Sequence, residues 1–157
     1  MKKILFLHGL ESKPGGAKPT FLERNGYEVV QPPLDKSEFE GSVNIAQRYY
    51  DETKPDIVVG SSRGGAIAMA IKSTVKKVLI APAWRKYGVL HNSVDENDVV
   101  LHAKEDAVVP YADSVELLHH TSVLLHEVGT DHRMCDEETL STLLDFIKGD
   151  GTPMIII

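Results

Sequence analysis

Between Asp56 and Ile71 the chain reads as a strand, a glycine-flanked serine and a helix, with no residues left over for a loop. Ile57, Val58 and Val59 are β-branched and continuously apolar, the pattern of a parallel strand buried on both faces. Arg63 to Ile71 is rich in Ala and apolar nearly all round, which suits a buried helix. Gly60-Ser61-Ser62-Arg63-Gly64 between them fits G-x-S-x-G with Ser62 at its centre. A strand that turns straight into a helix holds the central residue in strained backbone geometry, and a Cβ on its neighbours would collide with the turn. The spacing predicts a Ser62 hydroxyl lifted above the sheet at the positive end of the following helix. A chain containing this unit must supply further parallel strands to flank it and helices to cover both faces.

The flanking sequence supplies them. Lys3 to Leu7 predicts a first strand, which ends at His8-Gly9-Leu10 and enters a loop from Glu11 to Gly16. A short helix follows from Ala17 to Asn25, with Pro19 in its first turn and Gly26 as its stop. Tyr27 to Val30 is a second strand closed by Pro32 and Pro33. Phe39, Val43, Ala46 and Tyr50 share one face of a helix from Glu38 to Thr53. Beyond the central unit, Lys77 to Ala81 predicts a fourth strand ended by Pro82, and Ala83 to Asn97 reads as irregular. Asp98 to Ala103 is a fifth strand, Pro110 to His120 a helix with Val115 and Leu118 inward, and Ser122 to Val128 a sixth strand. Leu140, Leu143, Leu144 and Ile147 mark a last helix that Gly149 stops. Strands alternating with helices through short, right-handed connections predict an α/β fold, a three-layer αβα sandwich on a mostly parallel sheet of about six strands. The 157 residues form one domain over 1–157 with no separate lid domain, since Ala83 to Asn97 is too short to be one.

Charge and composition exclude several classes. A net charge of -6 leaves no Lys/Arg stripe to neutralise phosphates, so nucleic acid is not an expected partner. No stretch is long enough to span a bilayer, and the apolar run Ile4 to Leu7 after Met1-Lys2-Lys3 is too short for a signal peptide, so no membrane partner is expected. The single cysteine, Cys135, excludes an internal disulfide and fits a reducing, cytoplasmic setting. No His/Asp/Glu spacing resembles a metal site, and Gly15-Gly16-Ala17-Lys18 lacks the spacing of a phosphate loop.

A serine hydroxyl needs a neighbouring base to become nucleophilic, and the base needs a carboxylate to set its tautomer. In open α/β sheets such groups gather at the carboxyl ends of strands. The fifth strand is followed by Lys104-Glu105-Asp106-Ala107-Val108-Val109-Pro110, and the sixth by Gly129-Thr130-Asp131-His132-Arg133. Strand ends alone therefore provide an acid and then a histidine, downstream of Ser62.

Three segments resemble those of small α/β-hydrolases, in the style of compact bacterial esterase-like members without a lid. His8-Gly9-Leu10 resembles the family's His-Gly-x oxyanion turn, Gly60 to Gly64 its nucleophile elbow, and Asp106 to Pro110 its D-x-V-V-P acid loop. The resemblance implies Ser62 as nucleophile, Asp106 as acid and His132 as base. It implies an oxyanion hole made by the backbone N–H groups of Leu10 and Arg63, with His8 and Gly9 shaping the loop. It also implies a minimal sheet, because the sequence begins with the strand that carries the His-Gly turn.

Each residue has a competing reading. Ser61 rivals Ser62, but the small residues bracket Ser62. Glu105 rivals Asp106, which has the better loop position and the shorter reach. Asp131 sits beside His132, where adjacent side chains diverge. Trp84 follows the fourth strand and is either a wall of the substrate pocket or ordinary core. Arg63 and Arg85 read as solvated, with attraction of an anionic substrate group as the alternative, His119 and His120 as helix-terminal, His102 and His126 as packed or partly exposed within strands, and His91 as part of the irregular stretch. The apolar tail Met154 to Ile157 is expected to dock on the protein's own surface, with an oligomer contact as the alternative. The combined expectation is a cofactor-independent serine hydrolase, probe-reactive at Ser62, that cleaves small carboxylic esters. A thioesterase or peptidase on the same residues and a non-catalytic binding protein on the same fold remain as alternatives.

Overall fold

A computed structural model of the chain describes residues 2–10, 15–90 and 93–149. His91, most of the loop from Glu11, and the apolar tail lie outside the described residues. The elements in chain order are β1 (Lys3–Leu7), α1 (Ala17–Arg24), β2 (Glu28–Val30), α2 (Phe39–Thr53), β3 (Ile57–Ser61), α3 (Arg63–Ala70), β4 (Lys77–Ile80), β5 (Val99–His102), α4 (Tyr111–Leu118), β6 (Leu124–Glu127) and α5 (Glu137–Lys148). They form a 6-stranded sheet in the order β2-β1-β3-β4-β5-β6. Every described pairing is parallel. The predicted α/β sandwich is therefore the observed fold.

The apolar strands alternate their side chains between two covered faces. Ile4, Phe6, Ile57, Val59, Val78, Ile80, Val99 and Leu101 face the layer that holds Leu22 of α1 and Leu143, Phe146 and Ile147 of α5. Leu5, Leu7, Val58, Leu79 and Val100 face Ala46 of α2, Ile67 of α3 and Leu117 of α4. That is why these strands carry no polar alternation: neither side meets water. The strand order reverses between β1 and β3. The chain leaves β1 for β2 on one side and returns to β3 on the other, with α1 and α2 on opposite faces. The crevice at the carboxyl ends of β1 and β3 is thus the switch point where open α/β sheets place their sites.

The last helix starts at an Asp136 cap, whose carboxylate accepts the Thr139 N–H at 3.1 Å and hydroxyl at 2.7 Å. It ends at Gly149 in the left-handed region, φ 78°. One inward position differs from expectation. Val115 of α4 is 49% exposed, while Ser114 beside it is fully buried. The apolar reading of this helix face placed the valine inside; the inward slot goes to the hydroxyl, which has a hydrogen-bond partner there.

The sharpest steric constraint is at the start of α3. A Cβ on Gly64 would overlap the Leu7 carbonyl of β1, and a Cβ on Gly60 would overlap the Gly64 carbonyl. Gly64→Ala is therefore expected to destabilise the protein by at least about 2–3 kcal/mol, because backbone cannot yield as a side chain does. Gly88→Ala, at a left-handed glycine with open space around it, is expected to cost about 1 kcal/mol from backbone strain alone. Urea denaturation of the two variants checks the ranking.

Candidate active site

Ser62 sits between β3 and α3 with φ 56° and ψ -114°, a conformation that L-residues rarely adopt. The elbow is clamped from two sides. The Ser62 N–H donates to Ile80 O at 2.8 Å, and the Ser62 carbonyl accepts the N–H of Ala83 at 3.0 Å, from the end of β4 and the segment that follows it. On the other side, a Cβ on Gly9 would touch Ser62 Cβ at 3.4 Å, so the turn after β1 lies directly against the serine. The Gly65 and Ala66 N–H groups also converge on the Ser62 carbonyl at 3.0 and 3.2 Å, which locks the first turn of α3.

The loops after β5 and β6 bring two side chains to this serine. His132 Nε2 lies 2.9 Å from Ser62 Oγ, and His132 Nδ1 lies 2.7 Å from Asp106 Oδ2. With Nδ1–H donating to a carboxylate, Nε2 carries the lone pair that faces the serine hydroxyl. Asp106 Oδ1 accepts the N–H groups of Val108 and Val109, each at 2.8 Å. Burial pushes the Asp106 carboxyl up, but the His132 hydrogen bond and these two amides outweigh it and hold the group below its ordinary value. The rival residues lie elsewhere. Glu105 is exposed, Asp131 turns to accept the Met134 N–H at 3.1 Å, and Ser61 is the buried last residue of β3.

Arg63 is the first residue of α3, so its N–H has no partner within the helix. Leu10 is half-buried at the end of the His8-Gly9 turn. His8 Nδ1–H donates to Gly9 O at 2.9 Å. Its Nε2 is the one buried side-chain polar atom without a partner among the described residues. Burial holds the His8 pKa below its ordinary value, and the Lys36 and Arg63 charges add to that.

One sequence reading changes. Arg63 is not solvated: it is 3% exposed, donates to Asp35 O at 2.7 Å, and lies over the rings of Phe39 and Tyr87 at 5.8 and 5.6 Å. Those rings stack on each other at 4.9 Å. A guanidinium is weakly hydrated and can replace water with a carbonyl and two aromatic faces. Arg85 does stay half-exposed, paired with Asp113 and Glu116. Trp84 belongs to the core of the α2/α3/α4 layer, and its indole N–H donates to Asp113 O at 2.9 Å.

Two further residues reach the site without a sequence signal. Lys18 of α1 donates to Arg133 O at 2.5 Å and so ties the His132 loop to that helix; burial holds its pKa below the ordinary value. His102, at the end of β5, is fully buried with Nε2 3.1 Å from Asp106 Oδ2 and 3.0 Å from Val109 O. Its Nδ1 lies 2.6 Å from Ser114 Oγ. A pattern of residues spaced four apart on a strand–loop junction carries no periodicity, so only the folded loop reveals this contact. Among the described residues no group of 3 or more His, Cys, Asp or Glu side chains could hold a metal ion, and no helix is long and apolar enough to cross a membrane.

Burial lowers the His102 pKa from 6.5, against the raising effects of Val109 O and Asp106. Between the folded value and 6.5 the unfolded chain binds a proton that native His102 does not. Stability contributed here is therefore full above 6.5 and falls as pH drops through that window, by at most about 1.4 kcal/mol per pH unit. Unfolding free energy measured from about pH 7 to about pH 5 is expected to decline, and His102→Gln to flatten the decline.

The scan of protein-family models and the search of curated proteins yield no match. Solved structures do match. A hydrolase termed CIB-like from Thermoplasma acidophilum superposes with a TM-score of 0.75 at 19% identity, covering 94% of this chain and 86% of that one. Alpha/beta hydrolase domain-containing protein 10 from mouse gives 0.71 at 17% identity, over 94% and 88%. The esterase domain of a Rhodothermus marinus protein gives 0.67 at 16% identity, over 95% and 84%. With its parallel sheet, its elbow at the switch point and these neighbours, the chain has the α/β-hydrolase fold.

Proposed function

We propose that the chain is a serine hydrolase that cleaves small carboxylic esters through an acyl-enzyme on Ser62. The observation that carries the reading is the unbroken hydrogen-bond chain Ser62 Oγ–His132 Nε2–His132 Nδ1–Asp106 Oδ2, at 2.9 and 2.7 Å. In this reading the serine attacks the ester carbonyl while His132 Nε2 takes its proton. Asp106 stabilises the imidazolium and keeps the ring oriented without accepting the proton itself. The tetrahedral oxyanion sits against the backbone N–H groups of Leu10 and Arg63, which supply fixed dipoles where charge develops. His132 then returns the proton to the leaving alkoxide. Water activated by the same nitrogen later releases the acid and restores Ser62.

No step in this sequence calls for a cofactor, because the proton travels only between Ser62, His132, leaving group and water. A half-buried Ser62 and, in the acid loop, an exposed Val108, 68% accessible, support an open site and small substrates over long lipids. The esterase domain among the structural neighbours supports esters over amides. The single thiol, Cys135, supports a reducing, cytoplasmic setting.

A fluorophosphonate probe is expected to label the wild type and not Ser62→Ala. Asp106→Asn is expected to lower kcat on p-nitrophenyl acetate by about 10³–10⁴-fold, and Glu105→Gln to change it by less than about twofold. Equal labelling of wild type and Ser62→Ala, or a larger loss from Glu105→Gln than from Asp106→Asn, contradicts the assignment.

A further inference from the structure

The carboxylate of Asp106 meets a donor at each of its lone pairs. Oδ1 takes the Val108 and Val109 N–H groups, and Oδ2 takes His132 Nδ1–H on one side and faces His102 Nε2 on the other. The proton position on His102 follows from its partners. Nε2 faces two acceptors, Asp106 Oδ2 and Val109 O, so it must carry the hydrogen. Nδ1 is then the acceptor, and the Ser114 hydroxyl donates to it at 2.6 Å. Ser114 is itself fully buried in α4, in the slot that an apolar side chain would fill by pattern.

We propose that His102, its ring held in place by Ser114, is a positioning residue for the reaction: it donates to the same Asp106 oxygen that orients His132. The inference rests on Ser62, His132 and Asp106 acting as proposed above. The three donors other than His132 fix the carboxylate plane. A carboxylate so surrounded has no lone pair left for a proton, so it stays an anion when the imidazolium forms beside it. Without His102, Oδ2 has one donor fewer and the carboxylate can turn about its Cβ–Cγ bond. The His132 ring then loses its fixed angle to Ser62. Without Ser114, Nδ1 loses its donor and the ring loses the contact that holds its angle, so the Nε2–H is aimed less closely at Asp106.

The other groups facing His102 do not substitute for this role. From α4 the Tyr111 ring meets it edge-on at 5.5 Å. Across the β5–β6 pairing, Glu127 is exposed and turned to Lys104. From the loops come Asp106, Val109 O and, through Asp106, the His132 ring.

The test uses the full chain with His102→Leu, His102→Gln and Ser114→Ala, each normalised to folded protein by fluorophosphonate titration of Ser62. Hydrolysis of p-nitrophenyl acetate is followed across substrate concentration to separate kcat from KM. His102→Leu is expected to lower kcat by about 10–100-fold with KM within about twofold, since misplaced reacting groups cost rate more than binding. His102→Gln, which keeps an N–H near the Nε2 position, should recover most of the rate, and Ser114→Ala should fall between. An unchanged kcat in His102→Leu, a loss that appears in KM in place of kcat, or a Gln variant no better than Leu overturns the proposal. If His102→Leu does not fold, an unchanged kcat in Ser114→Ala decides against it equally. Failure of the wild type to label or turn over is a separate result, which defeats the underlying hydrolase reading instead.

Discussion

The architecture depends on one close approach of backbone to backbone, where the first turn of α3 meets the end of β1. Gly64 has no room for a Cβ against Leu7 O, and Gly60 none against Gly64. Because these chains touch, β3 can pass into α3 without a loop. That transition forces Ser62 to a positive φ and exposes its side chain at the switch point. The clamp from Ile80 O and Ala83 N–H then determines which way the elbow leans. Strain at a single serine is tolerated because the strands on both sides of it over-determine the turn.

The polar half of the site is built around a second node, the Asp106 carboxylate. It is buried, yet its ionised form is favoured, because hydrogen bonds to charge outweigh desolvation when every lone pair has a donor. The acid loop supplies two of those donors from its own amides, so the loop shape and the charge stabilise each other. His132 comes from a different strand end, and α1 reaches over to hold its loop through Lys18. Elements on both faces of the sheet thus converge on the one chain of hydrogen bonds above it.

Most of the fold was legible in the sequence because its four central strands are buried on both faces, which makes them short, apolar and rich in Ile, Leu and Val. The positions of Ser62, Asp106 and His132 could be named because each follows a strand end in chain order, and the structure brings the three within hydrogen-bond distance. What escaped the sequence depends on contacts between distant segments. Arg63 read as solvated because its carbonyl and its two rings come from Asp35, Phe39 and Tyr87. His102 read as strand packing because its partners, Asp106 and Ser114, are set by a loop and a helix that no periodicity links. Val115 was expected inward for the same reason: the helix face was judged by hydrophobicity, whereas a buried imidazole needed a hydroxyl there.

The central claim is that Ser62 becomes acylated during turnover. Rapid mixing with p-nitrophenyl acetate, followed by acid quench and peptide mass mapping, tests it directly. The account predicts a burst of p-nitrophenol equivalent to the enzyme present and an acetyl group on the peptide carrying Ser62. An acetyl group on Ser61 or Cys135 in its place, or turnover with no acylated serine trapped, would contradict it.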